Sequence, residues 1–253
     1  MEIEDFQALL APQGQEALEM AVARAPREED FLGHFTALSR RFPAALARAA
    51  LEQAILRLEA SPKFPFAARM YFTRQALEQA TSYQISTYRA GRFHPFSRLL
   101  DLGCSLGGDT LSLCQVAPTI GVDLDALRLA LAQANLQALG LQERVAFLCA
   151  DLNKQLPMRI GRDTGVFFDP ARRTQTRRVY SVHDYQPALS SIQSWLMDAP
   201  ALGVKISPGV KLEELAPYEA EVEFISLDGE LKEAVLWFGS LKSARRRATL
   251  LPG

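Results

Sequence analysis

One stretch constrains the fold more than any other. A short apolar run, Arg98 to Leu102, ends in Asp101-Leu102-Gly103-Cys104-Ser105-Leu106-Gly107-Gly108-Asp109, and a helical pattern follows to about Val116. Strand, glycine-rich turn, helix is the opening of a βαβ unit. Glycines at such a turn let the backbone bend sharply and approach a ligand closely. A bare glycine turn also serves as a plain connection, so its neighbours decide what it means.

Those neighbours keep the α/β rhythm. Thr119 to Val122, Val145 to Cys149, Gly165 to Phe168 and Leu202 to Ile206 read as further strands. A helix runs between Asp125, a candidate N-cap, and Gly140, a candidate C′ residue, and another spans about Pro187 to Met197. Strands alternating with helices pair in parallel through right-handed crossovers. The end breaks this order. Glu221 to Leu227 and Glu233 to Gly239 flank Asp228-Gly229, a hairpin turn signal. The sequence therefore predicts an α/β sheet that finishes in an antiparallel hairpin. Residues from Ser243 onward, with Arg245-Arg246-Arg247, read as a frayed tail. Residues 1–90 read as helical, rich in Ala, Leu, Glu and Arg, with a last helix over about Thr73 to Arg89. The expected units are a helical domain at 1–90, a sheet domain at 91–243 and a tail at 244–253.

Composition narrows the function. With 28 basic and 29 acidic residues in 253, the formal charge is −1, which argues against broad coating of nucleic acid. No apolar run approaches the roughly 20 residues of a membrane span, and the acidic N-terminus does not read as a secretory signal. Cys104, Cys114 and Cys149 show no metal-ligand spacing and read as reduced core thiols, so the expected setting is cytoplasmic, with no metal.

Two acids give the glycine turn its meaning. Asp123 closes the second strand, twenty residues after Gly103, where a carboxylate is able to accept from both ribose hydroxyls. Asp151 follows the third strand, within reach of an adenine amine. A nicotinamide dinucleotide site wants G-x-G-x-x-G with pyrophosphate on the helix N-terminus. Here the glycines are Gly103, Gly107 and Gly108, and Asp101 precedes them. An anion there repels pyrophosphate and suits a ligand with a cationic amino-acid end.

Asp101 to Gly107 resembles the first motif of the class I S-adenosylmethionine-dependent methyltransferases, D-x-G-x-G-x-G, and the terminal hairpin resembles that family's sheet. Ser105 stands where the family has its middle glycine, a small residue expected to cap the following helix. The resemblance implies a Rossmann-like methyltransferase sheet and S-adenosylmethionine as cofactor. It puts Asp101, Gly103, Ser105 and Gly107 at the methionine end, Asp123 at the ribose and Asp151 at the adenine. A narrower likeness, to the bacterial THUMP-like domain methyltransferases, spans about Phe72 to Leu241. It rests on Phe72 to Ala80, Arg92-Phe93, Phe167 to Arg173, Lys205 to Gly209 and Gly229 to Ala234. Members commonly continue into a small domain after the hairpin, which this chain is expected to lack.

Asp169-Pro170-Ala171-Arg172 sits where amino-directed methyltransferases carry D/N-P-P-Y/F. The resemblance implies that Asp169 and Pro170 hold an exocyclic amine, while Arg172 is able to stack on a base or pair with a phosphate. From Arg159 to Arg178 six arginines face Asp163 and Asp169 alone. Arg172, Arg173, Arg177 and Arg178 beside the presumed catalytic edge favour a site-limited contact with RNA. Tyr180, His183 and Tyr185 are further candidates for the pocket, and Lys205 for a partner to a carboxylate. The expectation is an S-adenosylmethionine-dependent methyltransferase (EC 2.1.1.-) acting on a nucleotide amine in RNA. Two alternatives stand beside it: a noncatalytic nucleic-acid-binding module on the same fold, and an NAD-dependent oxidoreductase.

Overall fold

The strand at Arg98–Leu102, β1, is buried from Leu99 onward, and such a run belongs in the middle of a sheet covered on both faces. The structure, a computed structural model, describes residues 1–171 and 181–252. Five strands alternate with helices: β1, β2 (Thr119–Asp123), β3 (Val145–Cys149), β4 (Thr164–Phe168) and β5 (Ala201–Ile206). They pair in parallel in the order β3-β2-β1-β4-β5. The chain order reverses between β1 and β4, which opens a crevice at the carboxyl ends of those strands.

Three strands complete the sheet. β6 (Glu221–Leu227) and β7 (Glu230–Gly239) form the expected hairpin, and β7 inserts antiparallel beside β5. Asp228 and Gly229 both take positive φ, +54° and +76°, as a tight primed turn requires. The supposed tail is not frayed. Arg246–Leu251 is β8, parallel to β6 over Val222 to Leu227. Its arginines hid the strand from a reading of hydrophobic period; Arg247 instead pairs with Glu221 of β6.

Before the sheet come α1 (Ile3–Leu10), α2 (Pro12–Val22), α3 (Phe31–Leu38) and α4 (Ala44–Ala60). The helix expected over Thr73 to Arg89 is two, α5 (Arg74–Gln79) and α6 (Tyr83–Ala90). Thr73 caps the first by accepting from the Ala76 N–H, and the chain is extended at Ala80 between them. Inside the sheet region lie α7 (Thr110–Val116), α8 (Ala126–Ala138) and α9 (Ile192–Leu196). Asp125 caps α8 by accepting from Leu127 and Arg128, and Gly140 at φ +75° ends it.

The N-terminal helices share a core with the sheet's helical layer. Phe6, Leu9, Leu18 and Leu51 pack in one cluster with Leu111, Leu131 and Leu136. Each fully buried Leu or Phe of this kind contributes about 1.5–3 kcal/mol. Buried Asn135 stitches the two parts together. It accepts from the Tyr71 N–H at 2.6 Å and donates to the carbonyls of Tyr71 and Leu106 at 3.1 and 3.0 Å. On the opposite face Val166, Phe168 and Val204 pack on Ile192 and Trp195.

Candidate active site

The glycine turn is pressed against the end of β4. Gly103 has φ +81°, and a Cβ there would lie 2.5 Å from the carbonyl oxygen of Asp169, so no larger residue fits. Gly103 and Cys104 donate to the Val122 carbonyl at 2.8 and 3.1 Å, bonding the turn to β2. Gly107, at φ +84°, faces α8, where a Cβ would crowd Leu136 and Ala132. Ser105 takes φ +50°, a conformation costly for a side-chain-bearing residue. It does not cap a helix. Its Oγ is buried without a partner among the described residues, and α7 begins only at Thr110.

The backbone of Ser105 makes a contact instead, with the end of β2 and not with a helix. Its N–H donates to Asp123 Oδ2 at 2.9 Å, while the Asp125 N–H donates to Asp123 Oδ1 at 3.0 Å. Two backbone donors thus fix the Asp123 carboxylate at the end of β2. Asp151 accepts from the backbone and side-chain nitrogens of Asn153 at 2.9 and 3.0 Å, and these bonds hold its carboxyl below the usual carboxylate range. Asp123, Asp151, Gly103, Ser105, Asp169 and Pro170 all line one cavity of about 340 Å³ at the carboxyl ends of the parallel strands.

Asp101 lies behind that cavity, fully buried. Thr110 Oγ1 donates to its Oδ2 at 2.5 Å, and its Oδ1 has no partner among the described residues. Burial first, then the charge of Asp109, pushes the Asp101 carboxyl up to about 8. At the end of β4, Asp169 accepts from Lys205 Nζ at 2.7 Å through Oδ2. Lys205, on β5, is buried, so its ammonium fixes the carboxylate from behind. Ala171 and Gln186 bridge their backbones in both directions at 3.0 Å, closing the floor beyond Pro170.

Several expectations change. Arg172, Arg173, Arg177, Arg178 and Tyr180 lie outside the described residues. Tyr185 turns away from the cavity into the core, where its hydroxyl accepts from the Ser207 N–H at 2.9 Å. Cys104 and Cys114 are buried as expected, but Cys149 is exposed. No helix among the described residues is long and apolar enough to cross a membrane. The cavity also has a wall that sequence reasoning missed: Glu78 to Thr81, the junction between α5 and α6. Lys63 donates to the carbonyls of Leu77, Glu78 and Ala80 and holds that junction in place. The break at Ala80-Thr81-Ser82, with residues that favour caps over helix interiors, was the available signal.

Comparison with known proteins matches this geometry. Residues 96–186 match a family described as RNA cap guanine-N2 methyltransferase, and residues 2–60 match a domain of unknown function. An uncharacterised S-adenosylmethionine-dependent methyltransferase of Mycobacterium tuberculosis is 38% identical over 187 residues. That alignment takes in 71% of this chain and 49% of the relative, so the chain spans about half the length of the curated relatives it matches. A crystal structure described as a methyltransferase from Porphyromonas gingivalis superposes with a TM-score of 0.73 at 22% identity, over 90% of this chain and 58% of that one. The chain belongs with the class I S-adenosylmethionine-dependent methyltransferases. Its Rossmann-like sheet, with β7 antiparallel between β5 and β6, departs from the all-parallel order of a nicotinamide dinucleotide fold.

The cavity fits S-adenosylmethionine. Among its described lining residues Glu78, Asp109, Asp123, Asp151 and Asp169 outnumber the basic Arg128. Behind them Asp101 keeps a carboxyl oxygen with no partner among the described residues. Such a wall attracts a ligand carrying a sulfonium and an ammonium group, and repels a pyrophosphate. Asp101, Gly103, Ser105 and Gly107 would hold its methionine end, Asp123 its ribose and Asp151 its adenine.

Proposed function

We propose that this chain methylates an exocyclic amine of a nucleotide in RNA, with S-adenosylmethionine as donor. One observation carries the reading: Asp169, on the cavity wall, abuts the cofactor loop through its own carbonyl at Gly103, while its carboxylate is fixed from behind by Lys205. The cofactor supplies a methyl group already activated for displacement. The chain's residues have to bind, orient and exclude water.

Asp169 has one oxygen, Oδ2, committed to Lys205, and among the described residues Oδ1 is left to accept an N–H of the acceptor amine. The Pro170 carbonyl offers a second acceptor beside it, since proline brings no N–H to compete. Two acceptors hold an amine with its lone pair turned toward the donor. Phe168, under Asp169, is fully buried against Trp195 and keeps the strand end rigid.

The matched family's description supports an RNA substrate, and so do the four arginines that follow Asp169 in sequence, Arg172, Arg173, Arg177 and Arg178. The narrower likeness to the THUMP-like domain methyltransferases is part of this reading and rests on the motif blocks in the sequence. Tritiated methyl transfer from S-adenosylmethionine to bulk RNA, DNA and protein tests it. Label in RNA is expected. Label confined to protein or DNA would contradict the substrate, and Asp169→Ala turning over at the unmodified rate would remove Asp169 from the mechanism.

A further inference from the structure

The cavity's two working walls are joined behind its surface by a buried ion cluster. Arg89, at the end of α6, is only 2% exposed. Its Nη1 donates to Glu233 Oε1 on β7 at 2.6 Å, and its Nη2 donates to Asp109 Oδ1 in the glycine turn. The same guanidinium lies 4.3 Å from the ring centre of Phe167, two residues before Asp169 on β4. Lys205 bonds Asp169 and also acts electrostatically on Glu233. Thr81, in the third wall, donates to Glu233 Oε2 at 3.5 Å. Three segments distant in sequence therefore meet at one guanidinium.

We infer that Arg89 is a positioning residue for the methyl-transfer site: through Asp109 it sets the donor loop, and through Glu233 and Phe167 it sets the acceptor wall at Asp169. The inference rests on the methyltransferase reading above.

Stability alone does not account for the cluster. Buried ion groups are commonly replaced by apolar residues of similar volume at no cost to the fold. Here the two ends of the cluster, Asp109 and Asp169, reach the cavity surface, while Arg89, Glu233 and Lys205 between them are buried. That is the arrangement of a rigid support behind a working surface. Arginine is also the side chain the geometry demands. Its planar fork reaches two carboxylates at once while its face stacks on Phe167, and a lysine has one point charge to offer. The charges leave a surplus too: Asp109, Glu233 and Asp169 face Arg89 and Lys205. The surplus acid sits where a cationic donor would be received.

The test uses the full chain and three variants: Arg89→Lys, Glu233→Gln and Asp109→Asn. S-adenosylmethionine affinity is measured by calorimetry, methyl transfer to RNA by steady-state kinetics, and folding by thermal unfolding. A support displaced by about 1 Å costs up to about 100-fold in the rate of a positioned reaction. Arg89→Lys is expected to raise the S-adenosylmethionine Kd and to lower kcat by about tenfold or more, with little change in the KM for RNA. Glu233→Gln, which keeps shape and removes charge, is expected to lower kcat more than it weakens cofactor binding. Asp109→Asn, at the cavity surface, is expected to weaken cofactor binding more than it lowers kcat, and it carries the test if the buried variants do not fold. Folded variants with unchanged Kd and kcat would overturn the inference. So would losses that follow melting temperature alone, with no split between the two readouts. An unmodified chain that binds no S-adenosylmethionine would overturn the underlying reading, and the inference with it; binding by the unmodified chain separates the two failures.

Discussion

Two regions of this sheet bury carboxylates, and they treat them in opposite ways. At the antiparallel end, Glu221 on β6 is wholly enclosed and saturated. It accepts from Arg92 and Arg247 and from the N–H groups of Ser243 and Ala244. These bonds overcome the burial that opposes its charge, and they hold its carboxyl down at about 2. Glu223 beside it accepts from Tyr88, Thr249 and Trp237 at 2.6, 2.6 and 2.7 Å. At the cavity the pattern reverses. Asp101 has one donor, an oxygen with no partner among the described residues, and a carboxyl pushed up to about 8. A buried acid whose donors are complete is there to hold strands together; one left incomplete is there for something that arrives.

The first way to break that contrast is to empty the saturated site. Glu221→Ala strands the charges of Arg92 and Arg247 and is expected to cost about 3–5 kcal/mol in urea unfolding. The same site sets an acid limit. Its folded pKa lies below the unfolded value, so its stabilisation is complete above about pH 4.5 and is lost as the pH falls toward 2. An acid titration of the unmodified chain should show it, and Glu221→Gln should flatten that part of the curve.

Next in size is the cavity's own acid. Asp169→Ala removes the acceptor oxygens and leaves Lys205 without its partner, and it is expected to lower methyl transfer about 100-fold with cofactor affinity largely kept. Equal losses in both would mean that Asp169 supports the cofactor and not the acceptor.

Asp101→Asn sharpens the comparison further, because the fold and the function should move apart. The folded pKa is raised, so the unfolded state is the more ionised between about pH 4 and 8, and stability falls as pH rises through that window. Removing the acid should therefore raise the melting temperature at pH 8 more than at pH 4, while weakening S-adenosylmethionine binding. The smallest effect is at Ser105, whose left-handed backbone costs roughly 1 kcal/mol that glycine does not pay, so Ser105→Gly should melt slightly higher.

The contrast also marks what the sequence could disclose. The five parallel strands and the hairpin were legible because each is a contiguous apolar run closed by Gly, Asp or Pro. The glycine turn, Asp123 and Asp151 were legible because loop order along a βαβ unit fixes their place in space. β8 was not, since Arg246 and Arg247 read as tail until Glu221, 26 residues back, supplies a partner for Arg247. The pairing of Arg89 with Glu233 was out of reach for the same reason at greater range: 144 residues separate them, and no local motif joins them. At Ser105 the expected helix cap does not form; its hydroxyl has no partner among the described residues, and its N–H bonds Asp123 instead. Local grammar finds strand ends and turns; it does not find charges that meet only after the sheet has closed.

The claim that matters most is that the incomplete acid behind this cavity, Asp101, awaits a cation. Calorimetric titration of the unmodified chain with S-adenosylmethionine and with NAD, near pH 7.5 and in two buffers of different ionisation enthalpy, tests it directly. The account predicts one S-adenosylmethionine bound per chain, no comparable NAD binding, and proton release on binding as Asp101 ionises beside the ligand's positive charge. NAD binding in its place, or S-adenosylmethionine binding with no proton released, would contradict it.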